Sequence, residues 1–156
     1  AQNRTGNKVL DTLLTSKNLA CIKDRISITS VVDGKLLEFM DVMDICSVFG
    51  NALDNAIECE RKITDPEKRL IHVETSLQRS FVIIRFENYC EGTLEFAENL
   101  PVTTKKDAGF HGYGLKSIRY TVHKYNGEVH ISCEDGWFRL NILIPFRSGG
   151  QGDHGN

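Results

Sequence analysis

Two pairs of alternating apolar segments, each closed by a short polar turn, constrain this chain more than any other feature. Leu70 to Leu77 and Phe81 to Tyr89 flank a turn at Gln78 to Ser80; Glu128 to Cys133 and Phe138 to Pro145 flank Asp135-Gly136, a dipeptide suited to a tight hairpin. A period of two gives each hairpin one apolar face, which needs a second layer to cover it. Three helical patterns supply that layer. Thr5 is set to cap the first, whose stripe Val9, Leu10, Leu13, Leu14, Leu19, Ala20 runs to about Asp24. Asp41 is set to cap the second, with Val42, Ile45, Val48, Phe49, Leu53, Ala56 and Ile57 on one face to about Arg61, and Asp65-Pro66 beyond it as a stop. The third opens at about Tyr113, carries Leu115, Ile118, Val122 and Tyr125 on one side, and ends at Asn126-Gly127. Between the first two helices, Arg25 to Val32 alternates and is rich in β-branched residues, a strand closed by Asp33-Gly34. The expected fold is α+β, a two-layer α/β sandwich with a mixed sheet of about five strands covered on one face by three helices. One domain over 1–146 is expected, and the polar, Gly-rich stretch 147–156 reads as a disordered tail.

The 19 Lys+Arg against 21 Asp+Glu leave a net charge of -2, with no broad basic face, so binding to nucleic acid through phosphate neutralisation is not expected. No apolar run reaches the roughly 20 residues that cross a bilayer, so no direct membrane contact is expected from this piece. Five cysteines, Cys21, Cys46, Cys59, Cys90 and Cys133, are odd in number and form no C-x-x-C pair. That fits buried thiols in a reducing cytoplasm better than a disulfide framework or a zinc site.

Two places combine polar residues with positions where a helix wants apolar ones. Asn51 and Asn55 in FGNALDNAIE stand one turn apart on the same face of the second helix. Asparagine is a mediocre helix former. A lone Asn there most often satisfies a buried carbonyl; a pair, with Asp54 between, makes a ligand or hydrated Mg²⁺ competitive, since amide oxygens suit that hard ion. The second place is His111-Gly112-Tyr113-Gly114-Leu115, where an irregular stretch meets the third helix. Glycines at a helix N-terminus let a phosphate approach the backbone amides, although flexible punctuation is the plainer reading of G-x-G alone. It is not a P-loop, because no G-x-x-x-x-G-K-[ST] occurs. Upstream, from Cys90 to His111, no period persists, and Thr103, Thr104, Lys105 and Lys106 add donors and positive charge that can close over phosphates or simply tip a solvated loop.

Taken in order, N-x-x-x-N on one helix, a hairpin, a long Lys-bearing loop and G-x-G-L opening the next helix resemble the ATP-binding domain of the GHKL superfamily of gyrases, heat-shock chaperones, sensor histidine kinases and mismatch-repair ATPases. The phrases TGNKVLDTLLTSK, FGNALDNAIE and HGYGLKSI are most similar to sensor histidine kinases of the peptide-pheromone quorum-sensing type, over about Thr5 to Phe146. The resemblance implies that ATP and Mg²⁺ are bound, with Asn51 and Asn55 as the N-box and Asn55 the Mg²⁺ ligand. It makes the loop from about Gly92 to His111 an ATP lid that brings Lys105 and His111 to the nucleotide, and Gly112, Gly114 and Leu115 the box that holds phosphate. Its partners would be a histidine-bearing dimerisation domain of the same full-length protein and a response regulator, in a cytoplasmic domain of a membrane-anchored bacterial sensor.

Three positions depart from that pattern. Histidine kinases carry an Asp that binds the adenine amino group where this chain has Asn88, in Glu87-Asn88-Tyr89-Cys90. An Asn carbonyl accepts the same hydrogen bond, and restoring the acid with Asn88→Asp is expected to preserve or improve adenine binding relative to guanine. Asn51 stands where gyrase-like members have a water-activating Glu, so hydrolysis is disfavoured and Asn51 is the candidate catalytic residue only through positioning. Glu58 stands where many kinases have Lys. None of His72, His111, His123, His130 and His154 looks like a phosphoacceptor. The expected function is therefore a kinase catalytic domain that donates the γ-phosphoryl to a histidine outside this chain. The alternatives are an inactive nucleotide-binding signalling module or a Ser/Thr kinase of the anti-sigma-factor type.

Overall fold

The computed structural model describes residues 4–91 and 112–146, together with the backbone of 96–97 and 100–101. The expected lid and tail, with Lys105 and His111, lie outside the described residues. The elements are α1 (Lys8–Lys23), β1 (Ser27–Val31), α2 (Val42–Arg61), β2 (Leu70–Gln78), β3 (Phe81–Tyr89), the two-residue strands β4 (Phe96–Ala97) and β5 (Leu100–Pro101), α3 (Gly112–His123), β6 (Glu128–Glu134) and β7 (Trp137–Pro145). Short 3₁₀ turns occupy Gly34–Leu37 and Pro66–Lys68.

Five strands form one mixed sheet in the order β1-β2-β3-β7-β6, parallel between β1 and β2 and antiparallel elsewhere. Both expected hairpins are present, and each turn has a physical signature. Arg79 takes φ 56° between β2 and β3, while Asp135 and Gly136 take φ 52° and 84° between β6 and β7, the pair of left-handed residues that a two-residue turn needs. Alternation decides the faces. Val82, Ile84, Phe86 and Asn88 of β3, and Phe138, Leu140, Ile142 and Ile144 of β7, point to the helices and are buried. The opposite face carries a polar ladder, with Arg139 Nε bonded to Glu87 Oε2 at 2.6 Å and Arg85 Nε to Asn141 Oδ1 at 2.8 Å. One face therefore makes the core and the other meets solvent.

α1 starts later than expected. Its N-cap is Asn7, whose Oδ1 accepts from Leu10 N at 2.9 Å; Thr5 instead accepts from Asn7 N at 3.1 Å, turning the chain into the cap. β1 is also shorter than Arg25 to Val32, since Arg25 sits at φ 56° in the turn after α1. α2 begins and ends where the sequence places it: Asp41 Oδ1 accepts from Met43 N at 2.8 Å, and the last residue is Arg61. Pro66 does not terminate it but opens the second 3₁₀ turn. The stripe on α2 packs onto the sheet, with Phe49 edge-on to Phe86 at 5.1 Å between centroids.

The end of α3 is fastened at both sides. Tyr125 Oη donates to Asp44 Oδ2 in a short hydrogen bond and accepts from Asp41 N at 2.9 Å, while Lys124 Nζ pairs with Asp44 Oδ1 at 2.9 Å. Gly127 then passes so close to β7 that a Cβ there would lie 2.7 Å from Leu143 O and 2.8 Å from Ile144 Cγ1 and Val122 Cγ1. Gly127→Ala is expected to cost about 1–3 kcal/mol through this overpacking. Urea unfolding should show a lower midpoint at unchanged slope, and an unchanged midpoint would mean the backbone yields freely there.

Candidate functional site

The polar pair on α2 and the start of α3 meet. The N-terminal half of α2 and the C-terminal end of α3 are joined through Asp44, Lys124 and Tyr125, which lays the first turn of α3 back over the middle of α2. A Cβ on Gly114 would lie 3.5 Å from Asn51 Oδ1 and 3.6 Å from both Asn55 Nδ2 and Asn55 Oδ1. Only glycine leaves that space empty. Asn51 is held from behind, its Nδ2 donating to Ser47 O at 2.9 Å, so its carbonyl oxygen is the atom turned toward Gly114. Asn55 is 4% exposed, and its Nδ2 has no hydrogen-bond partner among the described residues. A dry, unsatisfied amide donor costs about 1–3 kcal/mol, so this one calls for a ligand.

Hence Asn51, Asn55 and Gly114 come together at the positive end of the α3 dipole, where Gly112 is the first helical residue. An amide that presents either a donor or, turned over, a carbonyl oxygen suits a phosphate oxygen or a hydrated Mg²⁺, so the residues fit that ion. The Leu115 side chain is 1% exposed and packs in the hydrophobic core with Ile118 and Val122, so what it can offer a phosphate is its backbone amide in the first turn of α3. Asp54 points away as well, pairing with Lys17 of α1 at 2.6 Å.

Asn88 lies further along α2, against a residue that the sequence reading missed. Its Nδ2 donates to Glu60 Oε2 at 3.0 Å and to Tyr89 O at 3.2 Å, which commits both amide hydrogens and leaves Oδ1 as the acceptor it can offer. Glu60 is fully buried, and its other oxygen accepts from Leu70 N at 3.1 Å. It follows Asn55 by five residues, about 7.5 Å along the helix axis. The acid that the sheet lacks at position 88 thus stands on α2, one hydrogen bond behind Asn88. The signal for it was present in the sequence, since Glu60 falls on the same stripe as Leu53, Ala56 and Ile57, where an acid has to be explained.

Burial pushes the Glu60 carboxyl up to about 7, against the hydrogen bonds from Asn88 and Leu70, which pull it down. The folded protein therefore holds a proton that the unfolded chain releases near the ordinary carboxylate range. Stability from this group is fully present below about pH 4.5 and is lost as pH rises through 7, by roughly 3 kcal/mol in all. Glu60→Gln is expected to remove that part of the slope. Thermal melts of parent and variant between pH 5 and 8 check it, and parallel pH profiles would contradict it.

A family model described as a GHKL domain matches residues 40–145, which spans α2, α3 and every strand of the five-stranded sheet except β1. The chain belongs to the GHKL family. Its fold is shared with solved histidine kinase structures. The catalytic domain of histidine kinase ThkA in a nucleotide-free form is 18% identical, with a TM-score of 0.65 over 90% of this chain and 94% of that one. Acinetobacter baumannii histidine kinase AdeS is 15% identical, with a TM-score of 0.61 over 90% of this chain and 64% of that one. The blue-light activated histidine kinase EL346 of Erythrobacter litoralis is 14% identical, at 0.55 over 88% and 40%. This GHKL chain thus spans less than two thirds of the AdeS and EL346 structures. No curated protein matches it. Among the described residues, no helix of this GHKL domain is long and apolar enough to cross a membrane.

Proposed function

We propose that this GHKL domain is the catalytic and ATP-binding part of a sensor histidine kinase, of the peptide-pheromone quorum-sensing type, acting on the cytoplasmic side of a membrane-anchored protein. The observation that carries the reading is the buried, unpartnered amide of Asn55 set against Gly114 at the start of α3. In this reading the phosphates of ATP lie across the α3 N-terminus, and Asn55 holds Mg²⁺, which when bound supplies charge neutralisation across the phosphate oxygens. Gly114 keeps the space open, and Asn51, anchored on Ser47, turns its carbonyl oxygen to the same place. The base reaches Asn88, whose Oδ1 accepts from the adenine amino group while Glu60 holds the amide in that sense. Lys105 and His111 would close over the nucleotide from the segment between β5 and α3.

Nothing in this set is a strong base near the phosphates: Asn51 is a neutral amide. The domain then contributes positioning and electrostatics, and the γ-phosphoryl passes to a histidine on the dimerisation domain of the same full-length protein and onward to a response regulator. The isolated chain is expected to hydrolyse ATP slowly and not to label itself. With its own dimerisation domain supplied in trans, the label that appears should be acid-labile phosphohistidine. An acid-stable label would assign the domain to the Ser/Thr kinases of the anti-sigma-factor type, and ATP binding without transfer to any partner would make it a signalling module.

A further inference from the structure

Cys90 and Cys133 are 43 residues apart in sequence, one just past the end of β3 and the other on β6, which is not its neighbour in the sheet, yet their sulfurs are 2.8 Å apart. Cys90 follows the last residue of β3, where its backbone N–H donates to Gly136 O at 2.8 Å across the tip of the β6–β7 hairpin. Cys133 is opposite Phe138 on β6, on the helix-facing side of the sheet. Both thiols are free, and less than about 1 Å separates this contact from the ~2.05 Å of a covalent S–S bond. The two differ in access. Cys90 is buried, and Cys133 is half-buried at the edge strand.

We propose that Cys90 and Cys133 are a redox-modification site, forming a reversible disulfide by exchange with a low-molecular-weight disulfide such as oxidised glutathione. The Cys133 thiolate attacks one sulfur of the oxidant, whose S–S bond breaks and whose other half leaves as a thiolate. Cys90 then loses its proton, and its thiolate attacks the Cys133 sulfur of the mixed disulfide, expelling the second glutathione thiolate. The two protons released by the cysteines end on the two glutathione thiols. The protein thiols are oxidised by two electrons, and one oxidant disulfide is reduced. Burial raises the Cys90 thiol far above its ordinary range, which makes it the resolving rather than the first-attacking residue. Cys59, pushed up to about 12 by burial, and Cys21, pushed up to about 11, are left unreactive beside it. The bond would tie the strand end two residues beyond Asn88 to β6 and fix both ends of the segment that carries Gly112 and Gly114. The inference does not depend on what the domain binds.

The test uses the whole chain in glutathione buffers of graded ratio, followed by alkylation and tryptic mapping. Peptides 86–105 and 125–139 hold one cysteine each and are expected to appear cross-linked, with Cys21, Cys46 and Cys59 still alkylated. Because the second thiol is in place, the cross-link should form at an oxidised-to-reduced ratio about tenfold or more below that which glutathionylates Cys133 in Cys90→Ser. Dithiothreitol should reverse it. Full alkylation of Cys90 and Cys133 under the same oxidant, a persistent mixed disulfide on Cys133 in the parent chain, or cross-links spread equally over Cys46 and Cys59 would each overturn the proposal.

Discussion

Replacing Asn55 by alanine is expected to lower Mg-ATP affinity by about 100-fold or more, close to 3 kcal/mol, while leaving the domain at least as stable as the parent. The two halves of that result have separate causes. In the folded domain the Asn55 amide is 4% exposed and its Nδ2 is unpartnered among the described residues, so truncation to alanine forfeits packing contacts but no hydrogen bond from that donor. Removing it deletes an unsatisfied donor and substitutes the best helix former at the centre of α2. With nucleotide present, the same deletion removes the proposed Mg²⁺ ligand and one of the two amides that face Gly114. Calorimetry with Mg-ATP and a thermal melt of the same samples read the two halves independently. Equal affinity in variant and parent would remove Asn55 from the site, and a lost melt would give the amide a structural role instead.

Asn88→Asp is expected to behave as the parent does near pH 6 and to be about 2–3 kcal/mol less stable near pH 9. From the sequence, restoring the acid was expected only to help adenine binding. The position of Glu60 changes that expectation, because Asp at 88 faces a carboxyl 3.0 Å away in the core. Two carboxylates that close cannot both ionise, so the pair keeps one proton. While it does, Glu60 donates to the new acid and the other oxygen remains for the adenine amino group. The pair's second ionisation is raised beyond the value of about 7 that Glu60 already has, and stability falls further as pH climbs toward it. Adding Glu60→Gln should cancel the high-pH loss, since the Gln amide donates to the acid without titrating. A double-mutant cycle of melts at pH 6 and pH 9 measures this. Additive effects at pH 9 would show that the two side chains do not share the proton.

The hairpins and helices were legible because each announces itself locally. Asp135-Gly136 adopts the left-handed pair that its residue types favour, and Asp41 caps α2 through its own carboxylate. The start of α1 was misread because Thr5 and Asn7 are both able to cap, and only the close approach of Gly34 N to Thr5 O, at 2.7 Å, fixes the chain so that Asn7 does it. The N-x-x-x-N pair and the G-x-G were visible as residue types out of place in a helix. Their meeting was not visible, because it depends on the Asp44, Lys124 and Tyr125 contacts, 80 and 81 residues apart, that orient α3 on α2. The pairing of Glu60 with Asn88 and of Cys133 with Cys90 was missed for the same reason: each pair joins elements distant in sequence, and although an acid on the apolar stripe of α2 stands out by itself, the residue it meets does not.

The central claim is that Asn51, Asn55, Gly114 and Asn88 line one nucleotide site. It is tested most directly by titrating a ¹⁵N-labelled sample of this chain with a non-hydrolysable Mg-ATP analogue and following the amide resonances. The side-chain NH₂ signals of Asn55 and Asn88 and the backbone signals of Gly112 and Gly114 are predicted to move together along one saturation curve, and only weakly when Mg²⁺ is left out. Shifts confined to α1 or to the polar outer face of the sheet, with those four residues unmoved at saturation, would contradict it.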